Sequence, residues 1–175
     1  MLTIAMTTSS LPLAQRASTR SLARAVARIL DTRASTGVLV ARLTLGAVLV
    51  PHALQHAFGL LGGYGFRGTF GWMTGTLGFP APAAALAIVT ETVAPLLLLL
   101  GLGGRLAALG VAGLMLGAIS THTANGFFMN WFGALPAGAE GFEYHLLAIG
   151  LAAVIAIDGS GALSIDRYLT ARRAG

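Results

Sequence analysis

The 175-residue chain has no cysteine and only six acidic residues, and its eleven basic residues are all arginine. Without cysteine there can be no disulfide, thiol chemistry, iron–sulfur ligation or thiolate metal site built from this chain. Charged residues make up 10% of the sequence, against about 25% in a soluble domain. With 55% hydrophobic residues and a mean hydropathy of +0.79, the chain reads as a small integral membrane protein with one folding unit. The absence of lysine, alongside abundant Ala, Gly and Leu, fits the bias of a GC-rich genome rather than a mechanism.

The formal charge of +5 does not make a nucleic-acid surface, because no basic face interleaved with aromatics exists. The arginines instead flank apolar segments and the chain ends, as membrane-surface charge does. Residues 1–34 are polar to amphipathic, with Arg16, Arg20, Arg24 and Arg28 recurring every fourth residue opposite Leu22, Val26, Ile29 and Leu30. That pattern predicts an amphipathic helix lying on an anionic membrane surface. A disordered segment or a cleaved leader is the rival reading. No apolar core of secretory-signal length precedes Arg16, whereas an organellar transit peptide would share the composition.

Four apolar segments follow, at about 37–58, 81–102, 104–124 and 142–157. Strands cannot satisfy their backbone singly in lipid, so all four are expected to be helices. The predicted fold is all-α: an integral membrane four-helix bundle over 35–169, preceded by the amphipathic segment and followed by a tail at 170–175. Arg42 is expected to snorkel to the interface. The Gly-rich aromatic stretch 59–80 suits an interfacial or partly re-entrant segment, and Trp131 with neighbouring Phe residues gives 125–141 a similar character. Ser164 is placed to cap a terminal helical turn. Gly113 and Gly117 are expected to let a neighbouring helix approach closely. Numbered along these helices, ten arginines fall on one side and only Arg67 on the other. The positive-inside rule then puts both termini in the cytoplasm.

This topology sorts the polar residues by depth. Glu91 lies inside the second apolar segment, about 13 Å from its start. An ionisable group there is costly without a partner, and so marks a functional site. His52, Gln55 and His56 end the first helix. Ser120 to Asn125 end the third, and Glu143, Tyr144 and His145 begin the fourth. All four histidines, with Glu91 and Glu143, therefore converge on the outer half, whereas the inner half is expected to hold almost no such groups. His52 and His56 share a helix face. Pro95 and Pro51 leave the carbonyls of Glu91 and Ala47 without their helical donors.

Glu91, His122, Glu143 and His145 are the candidate catalytic residues, and His52, His56 and Asn125 the candidate cofactor-binding ones. Plainer roles compete: His56 as an interfacial hydrogen-bonding residue, Glu143 as a helix-dipole partner. Glu143 and His145 are two apart and point to different faces. Imidazoles beside carboxylates relay protons or grip the carbonyl oxygens of a quinone. A metal has weak support, since no HExxH occurs and the ligands come from separate helices, and haem has less. No phosphate loop or nucleophile elbow is present.

These residues, taken in order, resemble the DoxX family of small four-helix membrane proteins. The resemblance lies in Arg42-Leu-Thr-Leu-Gly46 with His52 and Gly78-Phe-Pro80, in Glu91 to Gly103 with Arg105-Leu-Ala-Ala108, and in His122 to Phe128. It continues through Gly141 to Leu147 and Gly159 to Asp166, covering roughly 37–169. It implies a bacterial cytoplasmic (inner) membrane protein tied to respiratory or oxidative-stress redox chemistry; related DoxD-type subunits belong to a thiosulfate:quinone oxidoreductase. It carries over Glu91, His122, Asn125, Glu143 and His145, with His52. The expected function is a quinone-linked redox component with lipid, other redox proteins or further copies of itself as partners. The alternatives are a non-enzymatic accessory subunit and a small-solute or proton pathway.

Overall fold

In the computed structural model the described residues are 26–27, 29–136 and 139–174. The proposed amphipathic helix carrying Arg16, Arg20, Arg24 and Arg28 lies largely outside them. Six α-helices follow residue 35: α1 (Thr36–Phe58), α2 (Gly65–Gly75), α3 (Ala81–Leu100), α4 (Gly104–His122), α5 (Glu143–Asp158) and α6 (Ile165–Ala174), with a 3₁₀ turn at Thr123–Asn125 after α4. α1, α3 and the α4 segment through Asn125 are long and apolar enough to cross a membrane. α5 has 16 residues, or about 24 Å of helix.

Local sequence sets the boundaries. Ser35 caps α1 by accepting the Val38 N–H, and Gly59 ends it in the left-handed region. Pro80 and Pro82 open α3, where a missing N–H costs nothing. Both α1 and α3 run through their internal prolines, Pro51 and Pro95, as continuous helices. Ser164 accepts the Arg167 N–H at 3.3 Å, so it caps α6 as its position predicted.

The four longest helices pack in a ring, α1 on α3, α3 on α4, α4 on α5 and α5 on α1. On α1 the inward positions are Val38, Ala41, Leu45, Leu49 and Ala53, at helical spacing. Val40, Leu43 and Val48 are exposed on its other face. A helix apolar all round belongs in lipid, so the outward leucines and valines of α3, α4 and α5 are lipid-facing. The short α2 packs on α1 and α3. The 59–80 stretch is thus partly helical.

At the end where α3 passes into α4, the structure corrects two expectations. Arg42 does not snorkel: it is 1% exposed and donates to the carbonyls of Leu98 (2.8 Å), Leu99 (2.8 Å), Ala162 (3.2 Å) and Leu163 (2.6 Å). Nor is this end free of buried polar groups. Asp166, equally buried, accepts from Gly103 N (2.9 Å), Gly104 N (3.3 Å) and Ser160 Oγ (2.6 Å), capping α4. Arg105 closes the end of α5 through the carbonyls of Ala156 (2.5 Å) and Ile157 (2.6 Å). Cations at helix C-termini and a carboxylate at an N-terminus are the arrangement the helix dipoles favour. Gly101 makes the turn between α3 and α4 possible. Its φ is +64°, and a Cβ there would strike Ser164 and the Arg42 guanidinium.

Candidate functional site

The opposite end of the ring does not close into a packed core. A cavity of about 720 Å³ lies among α1, α2, α3, α4 and α5, within the size range of small-molecule sites. Most of its wall is apolar. Leu49, Leu86, Ala87, Ile88, Leu114 and Met115 contribute, with Trp72 and Met73 from α2. The polar groups are His52 and His56 from α1, Glu91 and Thr90 from α3, Thr121 and His122 from α4, Tyr144 and His145 from α5, and Thr69 from α2.

Helical periodicity explains the convergence. On α3, Ala83, Leu86, Ala87, Thr90 and Glu91 fall three and four apart, which makes one face. On α4, Gly110, Gly113, Leu114, Gly117, Ala118 and Thr121 do the same. Thus Glu91 looks into the bundle rather than toward lipid. Its Oε2 meets His56 Nδ1 at 2.6 Å, with the Glu91 side chain 12% exposed. A carboxylate held in an apolar setting requires such a partner or a proton. The His52 ring stands 6.2 Å from that of His56. Across the cavity the rings of His122 and His145 are 4.8 Å apart. His122 Nδ1 lies 2.8 Å from the Ala118 carbonyl, so Nδ1 is the donor in that bond.

Among the described residues, three buried polar atoms of the wall have no hydrogen-bond partner: Thr69 Oγ1, Tyr144 Oη and His145 Nδ1. Thr69 is 4% and His145 8% exposed. All three are sealed within the packing of the wall, whereas His52, His56, Glu91 and His122 are only half-buried and line the cavity.

The structure brings together Glu91, His122, His145, His52 and His56, but not Asn125 or Glu143. Asn125 donates to the Glu140 carbonyl at 2.9 Å. Glu143 Oε1 accepts from Met129 N (3.2 Å) and Trp131 Nε1 (2.6 Å). Both tie down the loop between α4 and α5. Gln55 likewise secures the turn after α1, donating to the Leu61 carbonyl at 3.1 Å. Gly113 and Gly117 receive no close neighbour, for a Cβ on either would meet nothing within 4 Å. They face the cavity instead. Thr69 was missed in the sequence. It sits in a Gly-rich stretch without the helical periodicity that would have shown which way it points.

Comparison with known families now bears directly on this arrangement. The DoxX family model matches residues 37–131, more than half of the chain. The chain belongs to the DoxX family. No curated protein and no solved structure gives a match. The matched region runs from α1 through α4, so the DoxX segment holds His52, His56, Thr69, Glu91 and His122. Tyr144 and His145, which complete the cavity wall, lie beyond it. Membership makes this a membrane protein, in agreement with its three candidate spanning helices. Among the described residues no group of three or more His, Asp or Glu side chains converges as a metal ion would need.

Proposed function

We propose that this DoxX protein is a component of membrane redox chemistry whose cavity binds a quinone. The carrying observation is an otherwise apolar cavity edged by the His56–Glu91 pair, His52 and His122, with Thr69, Tyr144 and His145 in its wall. A flat apolar ring with oxygens on opposite edges suits such a wall, because its faces pack on the apolar residues and its oxygens take hydrogen bonds from the few polar ones. A bound quinone supplies a carrier of two electrons and two protons, with the electrons exchanged with a partner redox protein.

The chain's own residues position the ring and handle protons. The His122 imidazole meets a ligand oxygen. Glu91 and His56 share a proton over 2.6 Å and hold it ready for the cavity, with His52 as the next imidazole along α1. Asn125 and Glu143 act at one remove, fixing the loop over this end of the bundle. The arginine distribution supports a topology with both termini in the cytoplasm and the cavity in the outer half of a bacterial cytoplasmic membrane.

A purely structural role would use polar clusters as glue, as the Arg42–Asp166 end does. The cavity groups instead line open space, which favours the quinone reading over a passive accessory subunit. Solvent extraction and chromatography of the purified protein are expected to yield bound quinone. Glu91→Gln, at unchanged abundance, is expected to slow quinone turnover by about tenfold or more. Lost abundance with intact turnover per complex would instead assign the cluster to assembly.

A further inference from the structure

The cavity extends well beyond the polar groups. Along α4 its wall runs from Leu109 to His122, about 20 Å of helix. The histidines gather toward the His122 end, and from Leu109 to Ala118 the α4 wall is entirely Leu, Gly, Met and Ala, with Thr90 of α3 packed against Gly110. Leu86 and Leu109 line this part yet are 66% and 60% exposed, so the cavity reaches the lipid-facing surface between α3 and α4. Gly113 and Gly117 stand at that seam with nothing near the place a Cβ would take. At the other end Thr69, Trp72 and Met73 of α2, with Leu77 and Phe79, lie across the cavity. A ligand dissolved in the bilayer therefore meets an open side and a covered top.

We infer that the cavity opens sideways into the membrane between α3 and α4, and that its ligand is a tailed amphiphile whose hydrocarbon chain lies along Gly113 and Gly117. The imidazoles of His52 and His122 and the His56–Glu91 pair line the same cavity and meet the head. The inference deepens the quinone reading and rests on it for the head group alone.

The full chain in lipid nanodiscs provides the test, with three probes: a benzoquinone bearing one isoprenoid unit, another bearing eight, and a hexadecyl chain ending in a photoreactive diazirine. The tail probe is expected to label Met115, which lines the cavity and is 5% exposed. Excess long-tailed quinone is expected to remove that label. Gly113→Leu is expected to abolish the label and weaken the long-tailed quinone by about tenfold, leaving the short one within about twofold. Gly117→Ala, a smaller intrusion, is expected to reduce the label in part should the larger side chain lower the yield. Quinone binding without a label on Met115, or equal losses of both quinones, overturns the lateral mouth and leaves the quinone reading standing. A label that responds to Gly113→Leu without any quinone binding does the reverse. Failure of both readouts sinks both.

Discussion

Glu91 and His56 show how a single pair can serve position and chemistry together. His56→Ala leaves the carboxylate facing an apolar wall, and its partner is partly exposed, so the expected loss of stability is modest, about 1 kcal/mol. Thermal unfolding of the purified variant measures it, and a loss several times larger would mean that the pair chiefly holds the bundle together. Tyr144→Phe removes a hydroxyl that has no protein partner. It is therefore expected to leave unfolding unchanged within about 0.5 kcal/mol; a substantial drop in stability would show that the hydroxyl is already satisfied within the protein. Glu91 was legible in the sequence because a carboxylate in an apolar run has few explanations. Its pairing with His56 was not, because the two residues lie 35 positions apart and only the crossing of α1 with α3 brings them together.

At the scale of elements, hydrophobic runs made α1, α3 and α4 readable almost to the residue. The inward face of each helix was harder to read, since leucine and valine on both faces leave no amphipathic contrast. Arg42 was misread for that reason. Near the start of an apolar segment an arginine ordinarily reaches for the interface, yet here the ends of α3 and the turn before α6 present four carbonyls to it. Arg42→Leu strands those acceptors and is expected to cost about 3 kcal/mol or more. Arg42→Lys recovers little of it, because an ammonium cannot fork between two strands of carbonyls. Denaturant or thermal unfolding checks both, and a lysine variant as stable as the parent would refute the clamp. The glycines of α4 were misread in the opposite sense: small residues at helical spacing signal either a tight crossing or an open wall, and spacing cannot tell these apart.

For the molecule as a whole, the absence of cysteine makes topology directly measurable. Single substitutions Phe132→Cys and Ala171→Cys probe the loop after α4 and the helix α6; Phe132 is 97% exposed. A membrane-impermeant maleimide is expected to modify the first in intact cells and the second only after permeabilisation. The reverse pattern would invert the molecule and move the cavity to the cytoplasmic half. The family assignment and the all-helical architecture followed from ordered short motifs and apolar runs. The cavity's completion by α2 and α5 did not, because it depends on how a ring of four helices closes.

Arg42, Asp166, Ser160 and Arg105 fasten helix ends to one another at one end of this ring, whereas among the described residues the other end is held by the His56–Glu91 pair and the loop contacts of Asn125 and Glu143 around an open cavity. Thermal fluctuation in such a bundle is unequal, like a pair of tongs joined at the handle. Amide protons near Gly101 and Gly104 should exchange with deuterium far more slowly than those near His122 and Phe142, and a guest could widen the loose tips without disturbing the joint.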